Sequence, residues 1–168
     1  VMYGYLNNEE KTKATIKIHS DGKAWLHSND VGYMDSDGRL YPVDRLERMI
    51  IKGIDGFKIF PQKIEEVIAS SIYVDACCVV GYNGKYGIYP KACVVLKQEY
   101  LDKRDEALVD IKNICSSKLS VRAIPDEFEF IDKLPYTSLG KVDYKSLENN
   151  NESYDKENTS GRKKIKKR

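Results

Sequence analysis

Apolar residues in this chain come in short runs broken by Gly, Pro, Asp and Asn, and the texture of those runs changes after Arg45. Up to about residue 44 the pattern predicts turn-punctuated β structure. Asp21-Gly22 and Asp37-Gly38 each sit between short or alternating apolar runs, where Asp-Gly supplies the positive φ angles of a tight hairpin. Beyond Arg45, MIIKGIDGFKIF predicts two short strands around a glycine-containing turn. Pro61 then opens a predicted helix, because its fixed φ and missing N–H suit a first helical turn, and Ile64, Val67 and Ile68 recur at helical spacing. DACCVVGY and PKACVVLK are continuous apolar runs, which predict strands covered on both faces and separated by NGKYGIY. A second helix is predicted over residues 103–119 with Leu108, Ile111, Cys115 and Leu119 as its apolar stripe, and EFEFI alternates as a final strand. Strand pair, helix, two strands, helix, strand is the order of a compact α/β (α+β) domain.

Composition narrows the class. A chain of 168 residues holds one modest core and room for a piece of a second domain. With 41% hydrophobic and 32% charged residues it suits a globular protein, and no apolar run approaches the roughly 20 residues of a membrane span. The start, VMYGYLNNEEKTKATIK, has no basic segment leading into an apolar one, so no secretory signal is read and a cytoplasmic location is the expectation. It also lacks an initiator methionine, as if cut from something longer. A formal charge of +2 argues against nucleic acid as a partner, and residues 149–168, ending in a basic block, read as a disordered basic tail. Cys77, Cys78, Cys93 and Cys115 lie among Ala, Val, Leu and Ile rather than at metal-ligand spacings, and read as buried thiols. His19 and His27 lack companions at ligand spacing, so no metal site is expected.

The chemistry-bearing candidate is Lys141 in LPYTSLGKVDYKSLE, a lysine behind a glycine on a loop between an apolar strand and a helix-like segment. A primary ammonium there is a compact point charge suited to a phosphate or carboxylate oxygen whose charge grows during reaction. It is not a Walker lysine: Pro135 stands near the place that pattern gives to glycine, and Val142 follows where Ser or Thr is required. Gly81, Gly84 and Gly87 lie between two strand-like runs and open no helix, so they read as a turn rather than a dinucleotide fingerprint.

Three segments in this order, WLHSNDVGYMDSDGRLYPVDRLERMIIKG, DGFKIFPQKIEEVI and LPYTSLGKVDYKSLE, resemble the carboxyl-terminal part of the adenylate-forming (AMP-binding) enzymes. That superfamily includes acyl-CoA synthetases, luciferases and the adenylation domains of peptide synthetases. The resemblance covers Val1 to about Leu147. It implies a β-rich remnant of the large amino-terminal domain over residues 1–45, a small mobile carboxyl-terminal lid domain over 46–148, and the tail beyond. Lys141 is then the lysine that bridges the carboxylate substrate and the α-phosphate of ATP. Asp30 matches the aspartate that accepts from both ribose hydroxyls, although Ser28-Asn29 replaces the family's usual Thr-Gly ahead of it. Arg45 resembles the arginine that contacts ribose or phosphates, and Glu47 stands at the hinge, where Asp or Lys is usual. Gly56, Phe57 and Lys58 match the loop that lines the pantetheine tunnel.

The activity so implied is that of an acid–thiol ligase with a part in fatty acid metabolism. A carboxylic acid and ATP with Mg2+ give an acyl-adenylate, and coenzyme A displaces AMP. Mg2+ is expected to be held mainly by the amino-terminal domain, which the sequence lacks along with its phosphate loop and acid pocket, so the fragment alone is expected to be inactive. Two alternatives stand beside this: an adenylation domain that loads the phosphopantetheine of a carrier protein, and a non-catalytic binding module.

Overall fold

The computed structural model describes residues 2–148, and the tail assigned from sequence lies outside the described residues. The chain divides into two compact units, the first ending at Glu47 and the second beginning at Arg48.

The first unit consists of one helix and two separate antiparallel ribbons. Helix α1 (Glu9–Thr15) is capped by Asn8, whose side chain accepts from the Lys11 N–H. Its acidic first turn and the Glu9–Lys13 pair at 2.7 Å favour that helix locally. The all-β expectation for this stretch is corrected here: α1 buries nothing, so it carries no apolar stripe to betray it. The Asp-Gly hairpins form as predicted. β1 (Ile16–Ile18) pairs with β2 (Ala24–Leu26) around Asp21-Gly22, and β3 (Asp30–Met34) pairs with β4 (Leu40–Arg45) around Asp37-Gly38. Tyr33 and Tyr41, opposite each other on β3 and β4, stack with centroids 5.0 Å apart. Among the described residues of this unit no apolar side chain is buried; Ile18, Leu40 and Met34 stand well exposed.

The second unit has a five-stranded mixed sheet. β5 (Ile50–Lys52) and β6 (Phe57–Ile59) make the predicted hairpin, and Pro61 opens α2 (Pro61–Ala69). β7 (Val74–Gly84) and β8 (Gly87–Leu96) follow, then α3 (Arg104–Lys118) and β9 (Glu127–Phe130). β7 and β8 run two and three residues further toward each other than the sequence suggested, with Lys85 and Tyr86 between them. β5 and β9 both run parallel to β8, at its two ends: Lys52 pairs with Ile88, and Lys91 to Val94 pair with Glu127 to Phe130.

Alternation along β7 and β8 sends side chains to two cores. Val79, Ala92 and Val94 face a cluster with Ile64, Val67 and Ile68 of α2 and Ala107, Ile111 and Cys115 of α3. Cys78, Val80 and Cys93 face a second cluster, closed by Leu134 and Leu147. The two faces explain why both strands read as unbroken apolar runs. On α3 the buried stripe is Ala107, Ile111 and Cys115, so the expected Leu108 gives way to its smaller neighbour. Among the described residues no helix is long and apolar enough to cross a membrane.

Candidate active site

Lys141 follows a tight hairpin whose construction is local. Thr137 N–H donates to the Lys141 carbonyl at 2.7 Å, Gly140 N–H to the Thr137 carbonyl at 2.9 Å, and Asp143 N–H to the Pro135 carbonyl at 2.9 Å. Tyr136 and Val142 close the base as an antiparallel bridge. Gly140 has φ +76 with open space where a Cβ would lie, so the turn requires glycine for its backbone and not for room. Beyond it, Asp143 caps the helical turn 144–148, accepting from the Ser146 hydroxyl at 2.7 Å and the Ser146 N–H at 3.2 Å. Those bonds, the hydroxyl one first, hold the Asp143 carboxyl below its ordinary range. Leu134 before the hairpin and Leu147 after it are buried against Cys78, Val80 and Cys93. The loop is thus pinned at both ends, while the Lys141 side chain is exposed and makes no ion pair among the described residues.

In the first unit, strand register sets Asp30 opposite Arg45. Arg45 Nη1 donates to Asp30 Oδ1 at 2.9 Å, with both side chains about half exposed. Asn29 holds φ +60, a left-handed conformation that Asn tolerates better than other side chains, and its carbonyl accepts the Leu46 N–H at 2.8 Å. Ser28-Asn29 therefore supplies a turn for which glycine would otherwise be the natural choice. Buried Asp44 steadies the ribbon end, its Oδ1 accepting the Arg45 N–H at 2.7 Å. Glu47 is exposed in the 3-10 turn Leu46–Arg48.

Gly56 closes the β5–β6 turn, and Phe57 and Lys58 open β6 directly after it. Gly56 has φ +69, and Lys58 is exposed. Arg122 holds this turn from outside the hairpin. It pairs with Asp55 at 2.8 Å and lays its guanidinium 5.4 Å from the centre of the Phe57 ring. Lys52 meets Asp126 at 2.6 Å and the Arg122 carbonyl at 3.2 Å. A cleft of about 320 Å³ opens beside the turn, with Tyr86, Tyr89 and Arg122 in its wall. Sequence reading missed these supports because Arg122 and Asp126 lie far along the chain from the turn they brace.

Asp30 and Arg45 are thus brought together, whereas the Gly56 turn and Lys141 occupy separate hairpins of the second unit. His19 and His27, far apart for ligand spacing in the sequence, meet across the β1–β2 hairpin with Nε2 atoms 2.8 Å apart. Among the described residues no three His, Cys, Asp or Glu side chains converge as a metal site. The cysteines are inert thiols, since burial pushes Cys77 and Cys78 up to about 12, and Cys93 and Cys115 to about 11.

The AMP-binding enzyme C-terminal domain family matches residues 63–141. The 2-succinylbenzoate–CoA ligase of Listeria innocua is 36% identical over 145 residues, covering 86% of this chain and 28% of the ligase. Medium/long-chain-fatty-acid–CoA ligase FadD8 of Mycobacterium tuberculosis is 38% identical over 151 residues, covering 86% of this chain and 25% of its own. The chain therefore spans about a quarter of the length of these curated relatives. Among solved structures, the O-succinylbenzoate coenzyme A synthetase of Bacillus subtilis in complex with AMP superposes on 88% of this chain and 28% of its own. Its TM-score is 0.71 and its identity 31%. The anthranilate CoA ligase AuaEII in complex with anthranoyl-AMP gives a TM-score of 0.75 at 26% identity, over 88% of this chain and 27% of its own. The chain belongs to the adenylate-forming, AMP-binding enzymes and matches their carboxyl-terminal portion.

Proposed function

We propose that this chain serves as the moving part of an acid–CoA ligase, supplying the cation for adenylation and the loop for thioester formation. In the first step a carboxylate oxygen attacks the α-phosphorus of ATP, which enters as its Mg2+ chelate, and the bond to pyrophosphate breaks. Two anions must approach, and the Lys141 ammonium offsets their repulsion as charge spreads in the transition state. In the second step the thiol of coenzyme A loses its proton, attacks the acyl carbon and releases AMP. The Gly56 turn would lie along the thiol's narrow arm, since glycine permits close backbone approach. Asp30 and Arg45 would hold the nucleotide, and Glu47 would be the pivot between the two arrangements. On this reading residues 1–45 belong to a larger body, and the wide exposure of Ile18, Met34 and Leu40 supports that.

The observation that carries the proposal is the Lys141 hairpin: a rigid, glycine-dependent turn anchored in a core, presenting an exposed ammonium with no ion-pair partner among the described residues. A surface lysine without a task needs no such anchoring. The test is a chimera of the Bacillus subtilis O-succinylbenzoate synthetase in which residues 46–148 of this chain replace the matching portion. It should exchange pyrophosphate into ATP when given O-succinylbenzoate, and Lys141→Ala should lower that rate about 100- to 1,000-fold, by analogy with oxyanion-site losses. Thioester formation from supplied acyl-adenylate should change by less than about threefold, because the lysine's charge is not needed there. A folded chimera whose exchange is indifferent to Lys141→Ala would refute the role.

A further inference from the structure

The residue after Glu47 is joined to the Lys141 hairpin by side chains to which the sequence motifs assign no role. Arg48 is mostly buried, with 18% of its side chain exposed, and it forks onto Glu65 of α2: Nη1 reaches Oε2 at 3.3 Å and Nη2 bonds Oε1. Glu65 Oε1 also accepts the Val79 N–H at 2.8 Å. That N–H lies on the open side of β7, which among the described residues pairs with β8 alone, so Glu65 satisfies an edge donor while it orients the arginine. The guanidinium carbon of Arg48 also lies over the Tyr144 ring, 5.8 Å from its centre. Tyr144 opens the helical turn that ends the Lys141 hairpin, and Leu147 of the same turn is buried beside Cys78. The path from Arg48 to Lys141 is therefore one planar cation, one ring and a capped turn. Arg suits that task because its rigid fork serves a carboxylate in its plane and a ring on its face at once, which an ammonium cannot.

Resting on the role given to Lys141 above, we infer that Arg48 is a positioning residue, which fixes the Lys141 hairpin to the segment leaving the Glu47 pivot so that rotation at the pivot carries the ammonium as a rigid arm. In the 168-residue chain, Arg48→Met should speed hydrogen exchange of the Thr137, Gly140 and Asp143 amides by about tenfold or more, while the β8 amides of Cys93 and Val94 change less than about twofold. Tyr144→Leu should do the same without disturbing Glu65, and Tyr144→Phe, which keeps the ring face, should not. In the chimera, Arg48→Met should slow pyrophosphate exchange by about tenfold with an unchanged KM for ATP, and leave thioester transfer from supplied adenylate intact. Loop amides that keep their protection, or β8 amides that open by the same factor, would overturn the inference. The two ideas separate cleanly. If Lys141→Ala leaves exchange intact the proposed reaction fails, whereas if Lys141→Ala abolishes it and Arg48→Met does nothing, only the role of Arg48 fails.

Discussion

Lys91 offers the sharpest test of how this sheet is held together, because its charge is buried while those of its partners are not. The side chain is 6% exposed and lies between Glu129 at 2.7 Å and Glu127 at 3.4 Å, whose side chains are 41% and 47% exposed. All three sit where β8 and β9 run side by side. Removing one partner of a fully buried pair costs about 3–5 kcal/mol, since the survivor keeps its desolvation penalty. Here the direction of removal decides the cost. Glu129→Ala takes the 2.7 Å charge-assisted hydrogen bond away from the buried ammonium, a loss of about 2 kcal/mol. Lys91→Met leaves two carboxylates already half in water and fills the slot with an apolar chain of similar length, so it should cost about 1 kcal/mol or less. Trp25 lies in the first unit, so unfolding of the second must be followed elsewhere, as by methyl resonances of Val94 and Ile111 in urea. Burial works to lower the Lys91 pKa, but the hydrogen bond and charge of Glu129, then the charge of Glu127, outweigh it and the value is raised. A raised native pKa means that the ion cluster stabilises fully below the unfolded value of about 10.4 and is lost as pH climbs through the native one. The stability gap between wild type and Lys91→Met should therefore shift against the wild type at strongly alkaline pH. A Lys91→Met variant less stable than Glu129→Ala at neutral pH would refute the reasoning.

Gly140→Ala meets no atom, so its cost should be purely that of a left-handed alanine, about 1–2 kcal/mol, and should appear as faster exchange of the Thr137 amide. Gly140→Asn should cost visibly less; equal effects would contradict the assignment. Ile111→Ala empties a fully buried site between α3 and the sheet and should destabilise the second unit by about 2–5 kcal/mol in urea titration. All four cysteines should resist iodoacetamide in the folded chain at mildly alkaline pH and react once urea unfolds it, as peptide mass spectrometry would show, because burial raises each thiol pKa to about 11 or 12. Prompt labelling of any one of them in the folded chain would contradict that.

The elements most legible in the sequence were those whose signal is local. Asp21-Gly22, Asp37-Gly38 and Pro61 each specify backbone geometry within a few residues, and each stands where expected. Helix α1 escaped because its support is a cap and a charge pair with no buried face. The ends of β7 and β8 escaped for another reason: Asn83 and Gly84 pair with Ile88 and Gly87, continuing the ladder into a stretch rich in glycine where composition alone suggests a loop. On the candidate site, residue types and order pointed to Asp30, Arg45 and Lys141, but nothing local linked Arg122 to Asp55 or Arg48 to Tyr144. Those partners meet only once the sheet has formed.

The proposed nucleotide contacts also have to coexist with the pair already present between Asp30 and Arg45, and simple counting shows that they can. A carboxylate offers about four lone-pair directions, and Arg45 takes one of them, on Oδ1. A vicinal diol needs two more, so the pair need not break for both ribose hydroxyls to donate, and Arg45 keeps its other nitrogens for phosphate or ring oxygen. The ion pair then does for Asp30 what Asn29 does for its backbone, which is to fix direction before the ligand arrives. At about half exposure such a pair adds little to folding stability, roughly 1 kcal/mol or less. Loss of Arg45 should accordingly weaken nucleotide affinity far more than it lowers the melting temperature. An Arg45→Ala variant of the chain whose chief defect is unfolding would mean that the pair is a structural brace and that the diol must be bound by other groups.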